Sequence, residues 1–482
     1  MYTKIIQCKC LSQMNGGKLM ETINRRVCSS TMEKIIYGLG DVGANLCWTF
    51  MASFVTLYYT DSAGIAAAAA GSFMLLSRVL DGVTDVICAL LMQKVNTRWG
   101  KIRPWFWVAA PLLGIGVYIS FNIPTGLSDT QKLMWAFLTY TFTGAVAFTI
   151  YNLAFTAILP LMSLDQDDRN KASSIQRIIC GAGILLIMNV TPILLGIFGG
   201  EKSSEAWHTL TLIYAVICTV LVFLMGVIIK EKQFPAEAHT SVEAQVENTD
   251  VGTQKKEKVL TVLKKAVFNK YMPLLLIFFI SYYVSSTMYS GALSYYCRDV
   301  MGNLNYIGPL SMAKTIPTML AIPFCPAAFK RFGKRRVVIL TMGIAAAAYI
   351  LRMVNPANFV WVFIMSAIGG FCSGPASAAM FTFVADLADY VRLSTGTRAE
   401  SFIAMTSSVG TKLGSGFGSA IIGWGLAIGG YDAALAQQSA GALFSMNFME
   451  NAIPAICIAI AAVCLLLWDM DKRKEKLLNP DK

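Results

Sequence analysis

Histidine and charge are what this sequence is short of. Two histidines, His208 and His239, in 482 residues leave no cluster for a histidine-ligated metal. Charged residues make up 14% of the chain and hydrophobic ones 55%. A soluble protein carries about a quarter charged residues, so a soluble globular domain is excluded. The cysteines are scattered and include no Cys-x-x-Cys pair, which argues against a zinc site or disulfide frame and leaves apolar packing as their role. No Gly-x-x-x-x-Gly-Lys-Ser/Thr loop occurs, and no sizeable polar domain is present to hold ATP, so direct nucleotide drive is excluded. No nucleophile–base–orienter set is present, so an enzyme is not expected. The first thirty or so residues lack the apolar core of a secretory signal. Asn15–Met20 would fit a purine-rich ribosome-binding site in a bacterial gene, so Met20 is the expected start.

Long apolar runs are abundant. Twelve segments, from Leu39–Tyr59 through Gly71–Leu91 to Ala452–Trp468, each approach the roughly 20 residues that cross a bilayer. The expected fold is all-α, with twelve transmembrane helices in two bundles of six. The net charge of +12 sits in loops on alternate sides, which points to a lipid bilayer and not to nucleic acid. Lys94, Arg98, Lys101 and Arg103 follow the second segment, and Lys330, Arg331, Lys334, Arg335 and Arg336 follow the eighth. Together with the lysine-rich middle loop and tail, they place both termini in the cytoplasm. Residues 1–33 read as an N-terminal segment, 34–230 as one bundle, 231–270 as a solvated linker, 271–470 as the second bundle and 471–482 as a tail. The turns Arg98–Arg103 and Arg331–Arg336 both centre on Gly-Lys at matching places in the two halves, the internal repeat of a six-plus-six transporter.

The charges inside the second segment carry the strongest functional signal. Arg78, Asp81 and Asp85 recur at spacings of three and four, so they share one helix face. Facing lipid, the three would cost on the order of 8–10 kcal/mol, so they face protein or water. Two carboxylates one turn apart call for a cation or a proton between them. Asp41 and Asn45 lie one turn apart in the first segment, where helix-start and functional roles for Asp41, and cavity-facing and helix-bridging roles for Asn45, stay open. Thr149, Asn152 and Thr156 form a hydrogen-bonding stripe that suits either a hydroxyl-rich ligand or helix packing. Arg177 opens the fifth segment as an inner-surface anchor. Lys412, deep in the eleventh beside Ser407, Ser408 and Thr411, needs an acid or a ligand oxygen.

Tyr-Gly-Leu-Gly-Asp at 37–41, Tyr-Tyr-Thr-Asp at 58–61, Arg-Val-Leu-Asp-Gly-Val-Thr-Asp at 78–85, Asn-Thr-Arg-Trp-Gly-Lys-Ile-Arg-Pro-Trp at 96–105 and Gly-Thr-Arg-Ala-Glu at 396–400 look familiar in combination. The chain resembles, over about residues 34–470, the glycoside–pentoside–hexuronide:cation symporters of the major facilitator superfamily, which include the melibiose and glucuronide carriers. The resemblance implies two bundles related by a pseudo-twofold axis. It implies that Asp81, Asp85, Thr84 and Thr149 line the cation site, with Arg78 and Asp41 in the surrounding charge network. It implies that Asn45, Asn152, Thr156, Arg177 and Lys412 lie at the sugar pocket. The sequence departs from the melibiose carriers where Thr84 replaces Asn, Asn45 and Asn152 replace aspartates, Thr156 replaces an aromatic, and Val86 stands where proline is common.

These readings combine into an expectation of symport of a glycoside, pentoside or hexuronide across the cytoplasmic membrane by a monomer, with Na⁺ or H⁺ as coupling ion and no other cofactor. The hydroxyls of Thr84 and Thr149 lean toward Na⁺, because a hard cation needs further oxygen ligands. Amides in place of acids, beside Arg78, Arg177 and Lys412, lean toward an anionic sugar. The rivals are a proton-coupled carrier of another amphiphile such as a lysolipid, marked by a wide apolar pocket, and a glycoside sensor that does not transport. Paired aromatics and amides would favour sugar.

Overall fold

The computed structural model describes residues 28–95, 97–163, 165–231, 270–395, 400–435 and 437–470. Most of the N-terminal segment, the linker from 232 to 269, positions 396–399 of the last motif and the tail lie outside the described residues. Among those described, twelve helical rods are present and no strand. The first six are α1 Thr31–Leu57, α2 Ala67–Lys94, α3 Arg103–Ser120, α4 Asp129–Met162, α5 Gln166–Phe198 and α6 Ser204–Ile228. The second six are α7 Tyr271–Val300, α8 Leu304–Phe332, α9 Lys334–Arg352, α10 Phe359–Thr395, α11 Glu400–Ile428 and α12 Ala440–Leu466. Seven of the described rods, α4 to α8, α10 and α12, are long and apolar enough throughout to cross a membrane by length and composition. Charge inside α2 and small polar residues in α11 lower the apolar content of those helices.

Helices outrun their apolar cores because local chemistry caps them. At α1 the Ser30 hydroxyl accepts the Glu33 N–H at 3.1 Å, and the Glu33 carboxylate accepts the Ser30 N–H at 2.7 Å. This reciprocal cap, with a typical stabilisation of about 1 kcal/mol, starts the helix eight residues before Leu39. The other oxygen of Glu33 accepts the Lys230 N–H at 3.1 Å, so the cap also ties α1 to the end of α6.

The two basic turns have a mechanical role beyond attracting charge. Gly100 and Gly333 sit at φ 120° and 84°, a region that disfavours side-chain-bearing residues. Arg103 donates to the carbonyls of Gly226 and Val227, both at 3.0 Å. Arg335 donates to those of Leu465 and Leu466 at 2.7 and 2.6 Å. In each half an arginine therefore satisfies the orphan carbonyls at the end of the sixth helix. Glu231 completes the first turn by accepting the N–H groups of Lys101, Ile102 and Arg103 at 2.7 to 2.9 Å.

Among the described residues, polar ties between the halves lie from the middle of the bundle to the end opposite these turns, labelled the outer end on the expectation that the basic turns face the cytoplasm. There α1 and α7 each finish in a π turn, Tyr58–Ser62 and Tyr296–Val300. Arg298 Nη1 lies 3.1 Å from Asp61 Oδ1, and Arg298 also holds Asp299 at 2.8 Å and the Tyr431 hydroxyl at 2.7 Å. The Tyr431 hydroxyl donates to Asp61 at 2.5 Å. Burial, then the charge of Asp61, pushes the Tyr431 hydroxyl well above its ordinary pKa, so it remains a donor. Thr60 and Tyr295 pair their hydroxyls at 2.8 Å. At the basic end, ion pairs among the described residues stay within one half: Lys34–Asp168 at 2.5 Å, Lys270–Asp469 at 2.6 Å, and Lys334–Asp386. The outer end is latched, and none of these basic-end ion pairs among the described residues joins the halves.

Removing one partner of a charged hydrogen bond costs about 1.5–3 kcal/mol. Asp61→Asn is therefore expected to open the outer end, read as faster modification of an introduced Ile65→Cys by a membrane-impermeant thiol reagent. Ile65 is buried beside the latch. An unchanged rate would mean that Asp61 does not hold the latch.

Candidate functional site

The stripe on α2 is turned into the protein, as the cost of exposing it to lipid demands. Arg78 and Asp81 are 8% and 7% exposed. The Arg78 guanidinium stacks 4.3 Å from the centre of the Trp48 ring, donates to the Tyr140 hydroxyl at 2.9 Å and lies 3.7 Å from Asp81. Its neighbours thus replace part of its hydration, while Arg78 Nε is buried without a partner.

Thr149 arrives from α4 directly after a π turn at Phe142–Phe148. A π turn adds one residue to a helical turn and re-aims the side chains beyond it. The Thr149 hydroxyl lies 3.0 Å from Asp81 Oδ1 and 3.1 Å from Asp85 Oδ1, so its one proton is shared between the two carboxylates.

The other half supplies Lys412. Its ammonium donates to the Asp81 carbonyl at 3.0 Å, lies 3.3 Å from Asp81 Oδ1 and contacts Asp85 Oδ2. Gly416, one turn on, admits this approach, for a Cβ there would sit 3.1 Å from Arg78 Cβ. Two cations and two carboxylates then balance. The carboxylate pair that reads from sequence as needing an ion is neutralised in this conformation by the chain's own lysine. Thr84 donates to the Asp81 carbonyl of its own helix at 3.1 Å, which leaves its lone pairs beside the group.

A second group gathers around α1 and α5. Asp41 accepts from Gln176 Nε2 at 2.5 Å. The Asn45 amide donates to the Asp41 carbonyl at 2.9 Å, and lies 3.3 Å from both Asp41 Oδ1 and Cys180 Sγ. Asn45 Oδ1 accepts from Thr49 at 3.2 Å. Aromatic pairs flank it: Tyr37 stacks on Phe155 at 4.5 Å and Trp48 on Phe148 at 4.3 Å. Tyr37 is buried and Trp48 already carries Arg78 on its ring, so the half-buried Phe148 and Phe155 are what these pairs leave beside the amides as apolar surface for a ring.

Asn152, Thr156 and Arg177 join neither group. Asn152 and Thr156 continue the Thr149 face of α4 and are exposed, with the Thr156 hydroxyl turned back to the Asn152 and Leu153 carbonyls at 3.0 Å. Arg177 is exposed on α5 next to Gln176. Lys412 sits with the carboxylate pair and not with these three. Gln176 and Cys180 are absent from the sequence reading, although their spacing of four beside Arg177 places them on one helix face. Trp48 and Tyr140, which house Arg78, carry no sequence signal apart from being aromatic.

Known proteins resemble this chain over most of its length. The family described as MFS/sugar transport protein matches residues 36–472. The isoprimeverose transporter of Lactiplantibacillus pentosus is 28% identical over 453 residues, covering 92% of this chain and 90% of the relative. The glucuronide carrier protein homolog of Escherichia coli K12 is 26% identical, covering 91% and 93%. Among solved structures, a D-xylose–proton symporter superposes with a TM-score of 0.62 at 13% identity, covering 91% of this chain and 97% of that one. A bacterial homolog of the lysosomal transporter Spinster, solved inward-facing and occupied, gives 0.65 at 12%, covering 92% and 96%. These structures establish the shared fold. A match over residues 36–472 leaves only the chain's ends outside it, and the chain belongs to the MFS/sugar transport protein family, as a multi-pass membrane transporter and not an enzyme.

Proposed function

We propose that the protein is a monomeric symporter of the cytoplasmic membrane that moves a glycoside, pentoside or hexuronide together with Na⁺ or H⁺, its basic loops and both termini facing the cytoplasm. The observation that carries this reading is the position of Lys412, reaching from the second half onto Asp81 and Asp85 of the first. A coupling ion and the Lys412 ammonium compete for the same oxygens. When the ion binds, Lys412 is released and needs a new acceptor, and a sugar hydroxyl or uronide carboxylate meets that need. Ion and sugar then raise each other's affinity, as linkage requires. The stacked aromatics beside Asn45 and Gln176 favour a sugar over a lysolipid, and the names carried by the relatives run the same way.

Uptake into proteoliposomes tests the proposal, using a panel of labelled xylosides, galactosides and glucuronides under an imposed Na⁺ or pH gradient in turn. Accumulation of one sugar class under one gradient is expected. No accumulation of any sugar under either gradient would remove the reading.

A further inference from the structure

Inside the second bundle, Lys314 of α8, Arg352 of α9 and Glu450 of α12 form a charge cluster that neither of the groups above uses. Arg352 and Glu450 are fully buried, and the one hydrogen bond between them runs from Nη2 to Oε1 at 3.2 Å. Arg352 Nε and Nη1 and Glu450 Oε2 are buried without a partner. The Lys314 ammonium lies 3.5 Å from the centre of the Tyr289 ring, and the Arg352 guanidinium 5.5 Å from that same centre. Glu450 sits on a π turn, Phe448–Ala452, a geometry concentrated at functional positions.

The charges do not balance. Two cations share one carboxylate, and aromatic faces compensate a desolvated charge only in part. The groups facing the cluster are Tyr289 from α7, Tyr296 and Cys297 from its terminal π turn, and Tyr349 from α9. From α10, Gly370 packs directly on the Lys314 backbone and brings no side chain to the cluster. No second carboxylate among these groups offsets the excess charge. Arginine keeps its proton at any working pH, whereas a half-buried lysine such as Lys314, stripped of much of its water beside a second cation, can exchange one.

We propose that Lys314, framed by Arg352 and Glu450, is a proton-binding site in the second bundle, separate from the Asp81–Asp85 pair and linked to the outer latch. The proton moves between water and the Lys314 Nζ lone pair, with no other bond made or broken. The link runs through Tyr296. Its ring lies 5.5 Å from the Arg352 guanidinium, and it opens the five-residue π turn that carries Arg298, which holds Asp61 across the halves. With Lys314 neutral the cluster balances and the latch stays shut. With the proton bound, the surplus charge favours a looser turn that admits water.

Electron-spin distance measurements on the full-length protein in nanodiscs test this without any substrate, so failure of the symport reading leaves the test intact. Spin labels at Thr130→Cys and Ala440→Cys, both exposed at the outer ends of the two halves, report the latch. Lowering the pH from about 9 to about 5 is expected to lengthen the label separation in the wild type, because partial desolvation and a neighbouring cation both favour the neutral form of a lysine. Lys314→Met and Lys314→Arg, one always neutral and one always charged, are both expected to abolish the step, whereas Asp85→Asn retains it. The proposal is overturned if the wild type shows no step, if both Lys314 variants keep it, or if Asp85→Asn removes it. It is also overturned if exchanging chloride for gluconate at fixed pH moves the distance equally, which would make the cluster an anion site.

Discussion

Asp85→Asn is expected to abolish gradient-driven accumulation while the protein still folds and inserts. Asn is nearly isosteric, so the packing of α2 against α11 survives. What disappears is the second negative charge that Lys412 and the coupling ion contest. With Asp81 alone, the Lys412 ammonium meets one carboxylate, and an entering ion would add an uncompensated positive charge beside Arg78. Losing one partner of a charged hydrogen bond at this half-buried site costs about 1.5–3 kcal/mol, which corresponds to a fall of roughly 10- to 100-fold in coupled uptake. The measurement is initial uptake in proteoliposomes with and without the ion gradient. Lys412→Met in the same assay separates the two roles of the lysine, because it leaves the carboxylates to the ion and removes the sugar's new donor. It is expected to keep ion binding and lose sugar binding. Full accumulation by Asp85→Asn would place the coupling ion elsewhere.

Gly423→Leu is expected to jam the carrier with its outer end open. Where α11 crosses α2, a Cβ at Gly423 would lie 2.8 Å from the Gly71 backbone and also meet the Ala67 carbonyl. A Cβ at Gly71 would in turn sit 2.8 Å from the Ala420 carbonyl. Backbone cannot step aside as a flexible side chain can, so the helices must part. The latched state is then lost, and with it any turnover, whereas an open outer cavity still binds ligand. Transport near zero with retained binding, together with a lengthened separation between labels at Thr130→Cys and Ala440→Cys, is the expected pattern. Normal transport would show that the crossing yields more than its backbone contacts imply.

How much of the fold and site is legible in the sequence depends on where charge is expensive. Arg78, Asp81 and Asp85 stand out because three charges in one apolar helix have no bland explanation. Lys412 stands out by its depth, though sequence cannot say which acid it meets, since its partners lie 327 and 331 positions away. The twelve rods are readable from apolar runs, but their starts are not, because caps such as Ser30 and Glu33 extend helices beyond the apolar core. Gln176 and Cys180 escape notice because the polar start of a helix reads as loop edge. Arg352 and Glu450 are lost for the same reason, each standing just outside the apolar run that defines its segment. Lys314 lies within such a run but nearer its start than Lys412 does, where a lysine reads as one that snorkels to the interface, and its partners come from two other helices. The π turns leave no trace at all, for one extra residue in a helical turn changes neither composition nor period over a short stretch.

The arginine braces at Gly226–Val227 and Leu465–Leu466 close each half upon itself at the basic end. Each half is thereby a stiff jaw whose own internal bonds need not change as it tilts. Among the described residues no ion pair joins the jaws at that end, so Lys412 on Asp81 and Asp85, near mid-depth, is the charged tie nearest to it. Discharge there is downhill in mechanical terms, while the homeward swing of the unloaded carrier must first break the bolt of Asp61, Arg298 and Tyr431. A slow return of the empty carrier is the expected consequence, and a compound that wedges the basic end open is expected to arrest the cycle from outside the Asp81–Asp85 site.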